Sequence, residues 1–182
     1  MYYMLECFGP ATQERQAIVD APDSFNWSRG KPFTTPPTSM LEIEMDGDGI
    51  MVPMFNRGIL LFSDDLISAI RSAGVNNLDC YDAELLDSVS GERHKNYKAV
   101  NIVGLVAAAD LEKSDYSAPS GTALIDTDFD SVAIDENKAN NMLMFRMAEC
   151  VSAIVIHEKV KQSIEKAGII HLDFIKPEKW IG

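Results

Sequence analysis

The chain contains one segment twice, and this repeat constrains the fold more than any other feature of the sequence. Residues 59–84 and 153–178 align without a gap at an offset of 94 positions. Six aligned pairs are identical, namely Ile70/Ile164, Ala73/Ala167, Gly74/Gly168, Leu78/Leu172, Asp79/Asp173 and Glu84/Glu178. Units of a solenoid recur every ~20–50 residues. The longer offset therefore indicates one unit that is used twice in a globular domain.

The repeated unit has the pattern of a strand, a helix and a second strand. Each copy opens with a short apolar run, which is typical of a buried strand, and continues with apolar residues at helical spacing. Ser63 is a good N-cap residue for the first helix, whereas His157 is a poorer one for the second. Gly74 and Gly168 stand where a left-handed residue ends a helix. A half-exposed strand is predicted after each glycine.

The remaining sequence predicts further strands joined by irregular segments. In chain order we expect a strand at 2–8, a proline-rich irregular wrap over 9–40, a strand at 41–44, a polar connection over 86–96, a strand at 97–107, a loop over 110–122, and strands at 123–125, 132–134 and 142–147. Strands and helices do not alternate strictly, so the sequence predicts an α+β fold with a mixed or antiparallel sheet. We expect a single domain over 1–182, with the first strand and wrap in 1–50 and the duplicated core in 55–178.

The charge of the chain limits the kind of partner. Its 182 residues include 28 Asp and Glu against 16 Lys and Arg, which gives a net charge of −12. Phosphate groups would be repelled by such a surface, so nucleic acid and anionic membranes are not expected partners. A basic protein is compatible with it, because opposite charge speeds association and orients the partners.

The cysteines and the hydrophobic pattern predict a cytoplasmic protein. Cys7, Cys80 and Cys150 are odd in number and lack metal-ligand spacing, which is typical of free thiols in a reducing compartment. No run approaches the ~18 apolar residues of a membrane helix. The N-terminal residues lack the basic and apolar regions of a signal peptide.

No motif predicts catalysis, a cofactor or a metal. Asp126, Asp128 and Asp130 resemble the start of a calcium loop, but Ser131 and Asn137 stand where that loop needs Gly and Glu. Residues 46–49 read as hairpin turn chemistry. The three histidines lack zinc spacing, and neither a phosphate-binding loop nor a G-x-S-x-G elbow is present. An enzyme would have to assemble its site through the fold, for example from Cys80, His94, His171 and nearby acids.

An ordered set of segments resembles a known family. These segments are RGILLFSDDLISAIRSAGVNNLDCYDAEL, followed by Tyr97, NIVG at 101–104, DLEKS at 110–114, LMFR at 143–146, IVIHEKVK at 154–161, AGI at 167–169 and LDF at 172–174. Taken in order over roughly residues 55–175, they resemble the immunity protein 11 family of bacterial polymorphic toxin systems. The resemblance implies a small cytoplasmic protein that binds and blocks a secreted toxin. Asn101, Asp110 and Ser114 match family positions, and either a structural or a functional role is open for them.

The resemblance and the charge together lead to one leading hypothesis. We expect a non-enzymatic inhibitor that covers the active site of its cognate toxin, with carboxylates facing a basic cleft. Candidate contacts, chosen for charge and expected exposure, are Asp46, Asp48, Asp126, Asp128, Asp130, Trp27 and Trp180. The alternatives are an enzyme of unknown chemistry and a self-associating structural module, in which the two copies pair across a homodimer axis or pack together within one chain.

Overall fold

The computed structural model of the chain describes residues 1–7, 27–46 and 50–182, together with the backbone of 16–18; of Asp46 and Arg57 it describes the backbone alone. The strands are β1 (Tyr2–Glu6), β2 (Gln16–Ile18), β3 (Leu41–Asp46), β4 (Met54–Arg57), β5 (Ile59–Ser63), β6 (Leu78–Asp87), β7 (Arg93–Ile102), β8 (Leu105–Val106), β9 (Asp115–Ser117), β10 (Asp128–Ser131), β11 (Met144–Met147), β12 (Ile154–His157) and β13 (Asp173–Ile175). The helices are α1 (Asp64–Ser72), α2 (Glu136–Ala139) and α3 (Glu158–Lys166), and Pro177–Lys179 forms a 3-10 turn. The α+β prediction is confirmed.

The strands form two large sheets and one hairpin. The first sheet has the order β2-β3-β6-β7-β5-β4, the second has the order β13-β1-β12-β11-β8, and β9 pairs with β10. The sheets are mixed, because β3 runs parallel to β6 and β8 runs parallel to β11, whereas the other pairs are antiparallel. No helix in the described ranges has the length and apolar character that crossing a membrane requires.

Both copies of the repeat fold as predicted. The first copy gives β5, α1 and β6, and the second gives β12, α3 and β13. The Ser63 side chain accepts a hydrogen bond from the Leu66 amide, and the His157 ring performs the same capping role by accepting from the Lys159 amide. Gly74 and Gly168 have φ values of 101° and 71°, so each supplies the left-handed residue that ends its helix.

The duplication extends beyond the repeated segment to the neighbouring strands. In the first half β7 lies between β5 and β6, and Ala99 pairs with Leu61 and Tyr81. In the second half β1 takes this place, and Met4 pairs with Val155 and Ile175, the repeat equivalents of those two residues. The second half therefore completes its sheet with a strand from the N-terminal end of the chain.

Equivalent side chains make equivalent contacts in the two halves. The Tyr97 hydroxyl donates to the Val52 carbonyl at 2.8 Å, and the Tyr2 hydroxyl donates to the Met142 carbonyl at 3.1 Å. The ring of Tyr97 lies 5.7 Å from that of Phe55, and the ring of Tyr2 lies 5.7 Å from that of Phe145. Phe55 and Phe145 each follow a methionine that pairs with the repeated strand in the same register, so β4 and β11, the neighbours of β5 and β12, belong to the duplication as well.

The two copies pack against each other within one chain through their helices. The Ser163 hydroxyl of α3 donates to the Ala69 carbonyl of α1 at 2.7 Å. These positions are 94 residues apart, so equivalent points of the two copies touch, as expected near a local two-fold axis. Ile70 and Ile164 are fully buried in the shared core. Burying an isoleucine side chain contributes about 1.5–3 kcal/mol, so the packing of α1 against α3 is a major source of stability.

Alternating side chains of the strands divide the core into a central cluster and two outer ones. Leu60 and Phe62 of β5 and Ile154 and Ile156 of β12 lie in the central cluster with both helices. The opposite face of the first sheet is covered by Trp27 and Phe33. The opposite face of the second sheet is covered by residues of the segment 106–142 and by Trp180. The two halves therefore share a core but differ in what covers their outer faces.

Several predictions about single elements were wrong. The polar connection 86–96 is mostly strand, because β6 continues to Asp87, β7 begins at Arg93, and a short turn with Gly91 at φ 74° joins them. The predicted loop 110–122 contains β9, and the predicted strands at 123–125 and 132–134 are replaced by β10 between them. Within the wrap over 9–40, β2 is a strand and 27–40 contains no helix or strand, while residues 9–15 and 19–26 lie outside the described residues.

Candidate protein-interaction site

The hairpin of β9 and β10 presents a row of carboxylates on its outer face. Asp126, Asp128 and Asp130 are exposed, whereas Thr127 and Phe129 between them are buried. Since side chains alternate across an extended chain, the three aspartates lie on one side and the buried pair on the other. The sequence analysis names these three carboxylates as candidate contacts, and the structure brings all three together on this hairpin.

A fourth carboxylate joins this row from β9. Asp115 pairs with Ser131, and Ser117 pairs with Asp128, with an irregularity of the ladder between Phe129 and Ser131. Asp115 is exposed and alternates with Tyr116, which lies opposite the buried Phe129. We call these four residues, Asp115, Asp126, Asp128 and Asp130, the acidic face. Sequence reasoning missed Asp115 because it read residues 110–122 as a loop.

The acidic face is fixed to the body of the protein by backbone hydrogen bonds. The Phe129 amide donates to the Gly182 carbonyl and the Gly182 amide donates to the Phe129 carbonyl, so 182 pairs with β10 on the side away from β9. The Thr127 amide donates to the Glu149 carbonyl. Phe129 packs into the outer core of the second sheet, where its ring lies 6.2 Å from that of Trp180. The hairpin that carries the four carboxylates is therefore braced, in the sense that β10 is hydrogen-bonded on both sides.

Glu149 connects the hairpin to the neighbouring segment, and it was not identified from the sequence. Its side chain is buried and accepts a hydrogen bond from the Ala109 amide at 3.0 Å. Burial raises the pKa of the Glu149 carboxyl, and hydrogen bonds from nearby backbone amides oppose that shift. An acidic residue within the apolar stretch 142–156 was the available signal, because buried carboxylates are rare unless they are hydrogen-bonded.

The segment around the hairpin carries more than half of the net charge of the chain. Residues 110–136 contain eight of the 28 acidic residues and one basic residue, Lys113, which gives −7 of the total −12. Lys113 pairs with Asp110 at 2.5 Å and lowers the pKa of that carboxyl. Among the described residues, none forms an ion pair with the four members of the acidic face; Asp126 accepts a hydrogen bond from the Ser120 hydroxyl at 3.0 Å. The face therefore carries charge that an external cation can neutralise.

The two tryptophans are not on the surface, and this corrects the expectation that they are exposed contacts. Trp27 and Trp180 each expose only 3% of their surface. Trp27 packs edge-on against Phe33 and Tyr81, and Trp180 packs beside Phe129 and donates its indole N–H to Glu6. Both indoles were predicted to be aromatic anchors of an interface, but a large aromatic side chain is equally suited to the core. Asp46 ends β3, its side chain lies outside the described residues, and so does Asp48.

Asn101, Asp110 and Ser114, for which a structural and a functional role were both left open, make structural contacts. Asn101 is buried, and its amide group donates to the Lys31 carbonyl, which holds the segment after Trp27 against β7. The Ser114 hydroxyl donates to the Asp110 carbonyl and accepts from the Ala133 amide. Ser114 and Asp110 therefore shape the turn that leads into β9.

The structure does not assemble Cys80, His94 and His171 into one site. Cys80 and His94 belong to the first sheet, where Cys80 pairs with Val100 and His94 pairs with Leu85. The two positions are five residues apart along β6, which is roughly 16 Å in a strand. His171 lies just before β13 in the second sheet, where its carbonyl accepts from the Cys7 thiol. Burial raises the pKa of Cys80 and raises that of Cys7 to about 11, which opposes formation of a nucleophilic thiolate.

A cleft lies beside α1 and α3. Its lining includes serine hydroxyls, with His171 at one end. Ser63, Ser72 and Ser163 each bond to helix backbone, so their hydroxyls serve the helices. No described carboxylate lies within ion-pairing distance of His171, and no three described Cys, His, Asp or Glu side chains converge as a metal site would require. What these elements define is a duplicated α+β protein with an appended acidic hairpin.

Comparison with known proteins adds no family to this description. The sequence matches no protein-family model and no curated protein.

Proposed function

We propose that the protein is an immunity protein that binds a cognate secreted bacterial toxin and neutralises it by covering its active site. The observation that carries the proposal is the acidic face, a row of four exposed carboxylates on a braced hairpin within a segment of net charge −7. The ordered resemblance to the immunity protein 11 family supplies the class of partner. Together they favour inhibition of a toxin by a protein surface.

The mechanism follows from charge and rigidity. A toxin that acts on an anionic substrate such as nucleic acid has a cationic cleft, and carboxylates at fixed positions imitate the substrate's charge there. Opposite charge raises the association rate by about 10–10³-fold and orients the encounter. Because the hairpin is held by hydrogen bonds on both sides of β10, little conformational entropy is lost when it docks, which favours tight binding.

The test begins with the product of the gene immediately upstream, since immunity genes adjoin toxin genes. That product should be toxic when expressed alone, and co-expression of this protein should restore growth and yield a stable complex. Absence of both rescue and complex would contradict the proposal for that neighbour.

A charge-reversal experiment then tests the acidic face. Replacing Asp126, Asp128 and Asp130 with lysine should slow association with the toxin at least about tenfold at low salt and should weaken its salt dependence. The matched control replaces three exposed acids with lysine, namely Glu42 and Glu44 of β3 and Glu92 of the turn before β7. The control changes net charge equally but should retain most of the association rate. Equal rates for the wild type and the hairpin variant would rule out the acidic face as the contact.

A further inference from the structure

The corner that leads into the acidic face holds an isoleucine in an unfavourable backbone conformation. Ile125 has φ 74° and exposes 65% of its surface. A β-branched residue in the left-handed region is a clear outlier, and this conformation is less favourable for isoleucine than for glycine or asparagine. Little packing within the protein offsets this cost, because most of the side chain faces solvent.

Two backbone hydrogen bonds impose this conformation. The Ile125 amide donates to the Ala148 carbonyl at 2.8 Å, and the Ile125 carbonyl accepts from the Val151 amide at 3.1 Å. The next residue, Asp126, forms an isolated bridge with Cys150. Glycine or asparagine would make the same two bonds without strain. The bonds therefore account for the turn, and they leave the outward-facing isoleucine side chain unexplained by the fold.

Other exposed apolar side chains lie beside the same face. Leu124, the preceding residue, is 47% exposed. On the far side of β10, Trp180 points into the core and Gly182 pairs with Phe129, so the intervening Ile181 points outward and is 74% exposed. Exposed apolar side chains therefore occur directly before Asp126, at Leu124 and Ile125, and on the segment that pairs with β10, at Ile181. Apolar residues with a charged surround are typical of a protein contact rather than of a free surface.

We propose that Leu124, Ile125 and Ile181 together with the acidic face form one docking surface, and that Ile125 is its apolar anchor. The inference rests on the proposed function, since it describes how that same face holds a partner. The fitting occupant is a protein whose cationic surface surrounds an apolar recess. Charge complementarity argues for this partner, because the carboxylates lack ion-pair partners among the described residues. A phosphate backbone or an anionic lipid surface would be repelled by the same carboxylates.

Two synthetic peptides test the surface without the toxin. They have equal length and equal lysine content, and one carries leucine where the other carries serine. Wild-type protein should bind the leucine–lysine peptide at least about tenfold more tightly than the serine–lysine peptide, as burial of one large apolar side chain predicts. Chemical-shift changes should centre on residues 124–130 and 181.

Variants distinguish the anchor from general stickiness. Ile125→Asn should remove most of the preference for leucine, leave the affinity for the serine–lysine peptide unchanged and raise the urea midpoint, because asparagine tolerates positive φ. Val89→Asn is the matched control, since Val89 is 66% exposed in the turn between β6 and β7, and it should retain the preference. Ile181→Ala should reduce the preference partly.

Two results would overturn the inference: equal binding of both peptides by the wild type, or a leucine preference that survives Ile125→Asn. Either result leaves growth rescue by the upstream gene product to decide the proposed function separately. Conversely, a leucine preference that depends on Ile125, found together with no rescue, would support the docking surface and reject that toxin as its partner.

Discussion

Replacing Tyr97 with phenylalanine should destabilise the protein by about 1–3 kcal/mol, because the Val52 carbonyl would lose its hydroxyl donor in a buried site. Tyr97 exposes 3% of its surface and Val52 exposes 2%, and their hydrogen bond is 2.8 Å long. The equivalent change in the other half, Tyr2→Phe, should cost about 0.5–1.5 kcal/mol. Its bond to the Met142 carbonyl is longer at 3.1 Å and only partly buried, so water can replace the lost donor.

Urea unfolding followed by fluorescence measures both changes. A loss of 2 kcal/mol corresponds to a midpoint lower by about 0.5–1 M and a melting temperature lower by about 4–8 °C for a chain of this size. Tyr116→Phe is the control, because Tyr116 is exposed on β9 and should give no shift. An unchanged midpoint for Tyr97→Phe, or a larger loss for Tyr2→Phe than for Tyr97→Phe, would refute the reasoning. Burial would then not determine how much the equivalent tyrosine hydrogen bonds contribute to stability.

Two further predictions concern the backbone and the pH dependence. Gly30→Ala should destabilise the protein by at least about 2 kcal/mol, because Gly30 has φ 62° and a Cβ there would lie 2.8 Å from Leu105 Cβ and 2.9 Å from the Gly104 carbonyl carbon. The control Gly91→Ala, with φ 74° and open space around the residue, should destabilise it by only about 1 kcal/mol. Equal urea midpoints for the two variants would contradict the steric argument. Burial raises the pKa of the Cys7 thiol from 9.0 to about 11, so its neutral form stabilises the fold fully below pH 9 and this contribution is lost as pH rises to about 11. The free energy of unfolding of the wild type should therefore fall relative to that of Cys7→Ser across this window, and parallel pH profiles would exclude the effect.

The sequence predicted the repeated unit correctly because its signals are local. Apolar spacing, a capping residue and a glycine at the helix end act within one segment, and both copies folded as these signals indicate. The replacement of β7 by β1 in the second half could not be read in this way. Pairing between Met4 and Val155 joins residues about 150 positions apart, and an alternating pattern shows that a segment is a strand without naming its neighbour.

The sequence did not show that β4 and β11 are equivalent, for a different reason. Met54-Phe55 and Met144-Phe145 are equivalent in the sheets, but they are 90 residues apart rather than 94. The second half has a longer connection between β11 and β12, which holds Glu149 and Val151, and this shifts the alignment. Two matching residues at a changed offset are too few to recognise in sequence. The same longer connection provides the backbone bonds to Thr127 and Ile125, so the hidden insertion is also what supports the candidate site.

The candidate site lies outside the duplicated elements, and this separates the part of the protein that forms the core from the part proposed to bind a partner. The strands, helices and tyrosine bonds occur in both halves, and they account for the shared core. The acidic hairpin, the connection that holds Ile125 and the segment 177–182 occur only on the outer face of the second sheet. A surface that recognises one partner need not be symmetric, whereas a duplicated scaffold is symmetric by origin. Under the proposed function, binding specificity should therefore reside in the parts that the duplication does not explain, and substitutions there should alter recognition while leaving the shared core intact.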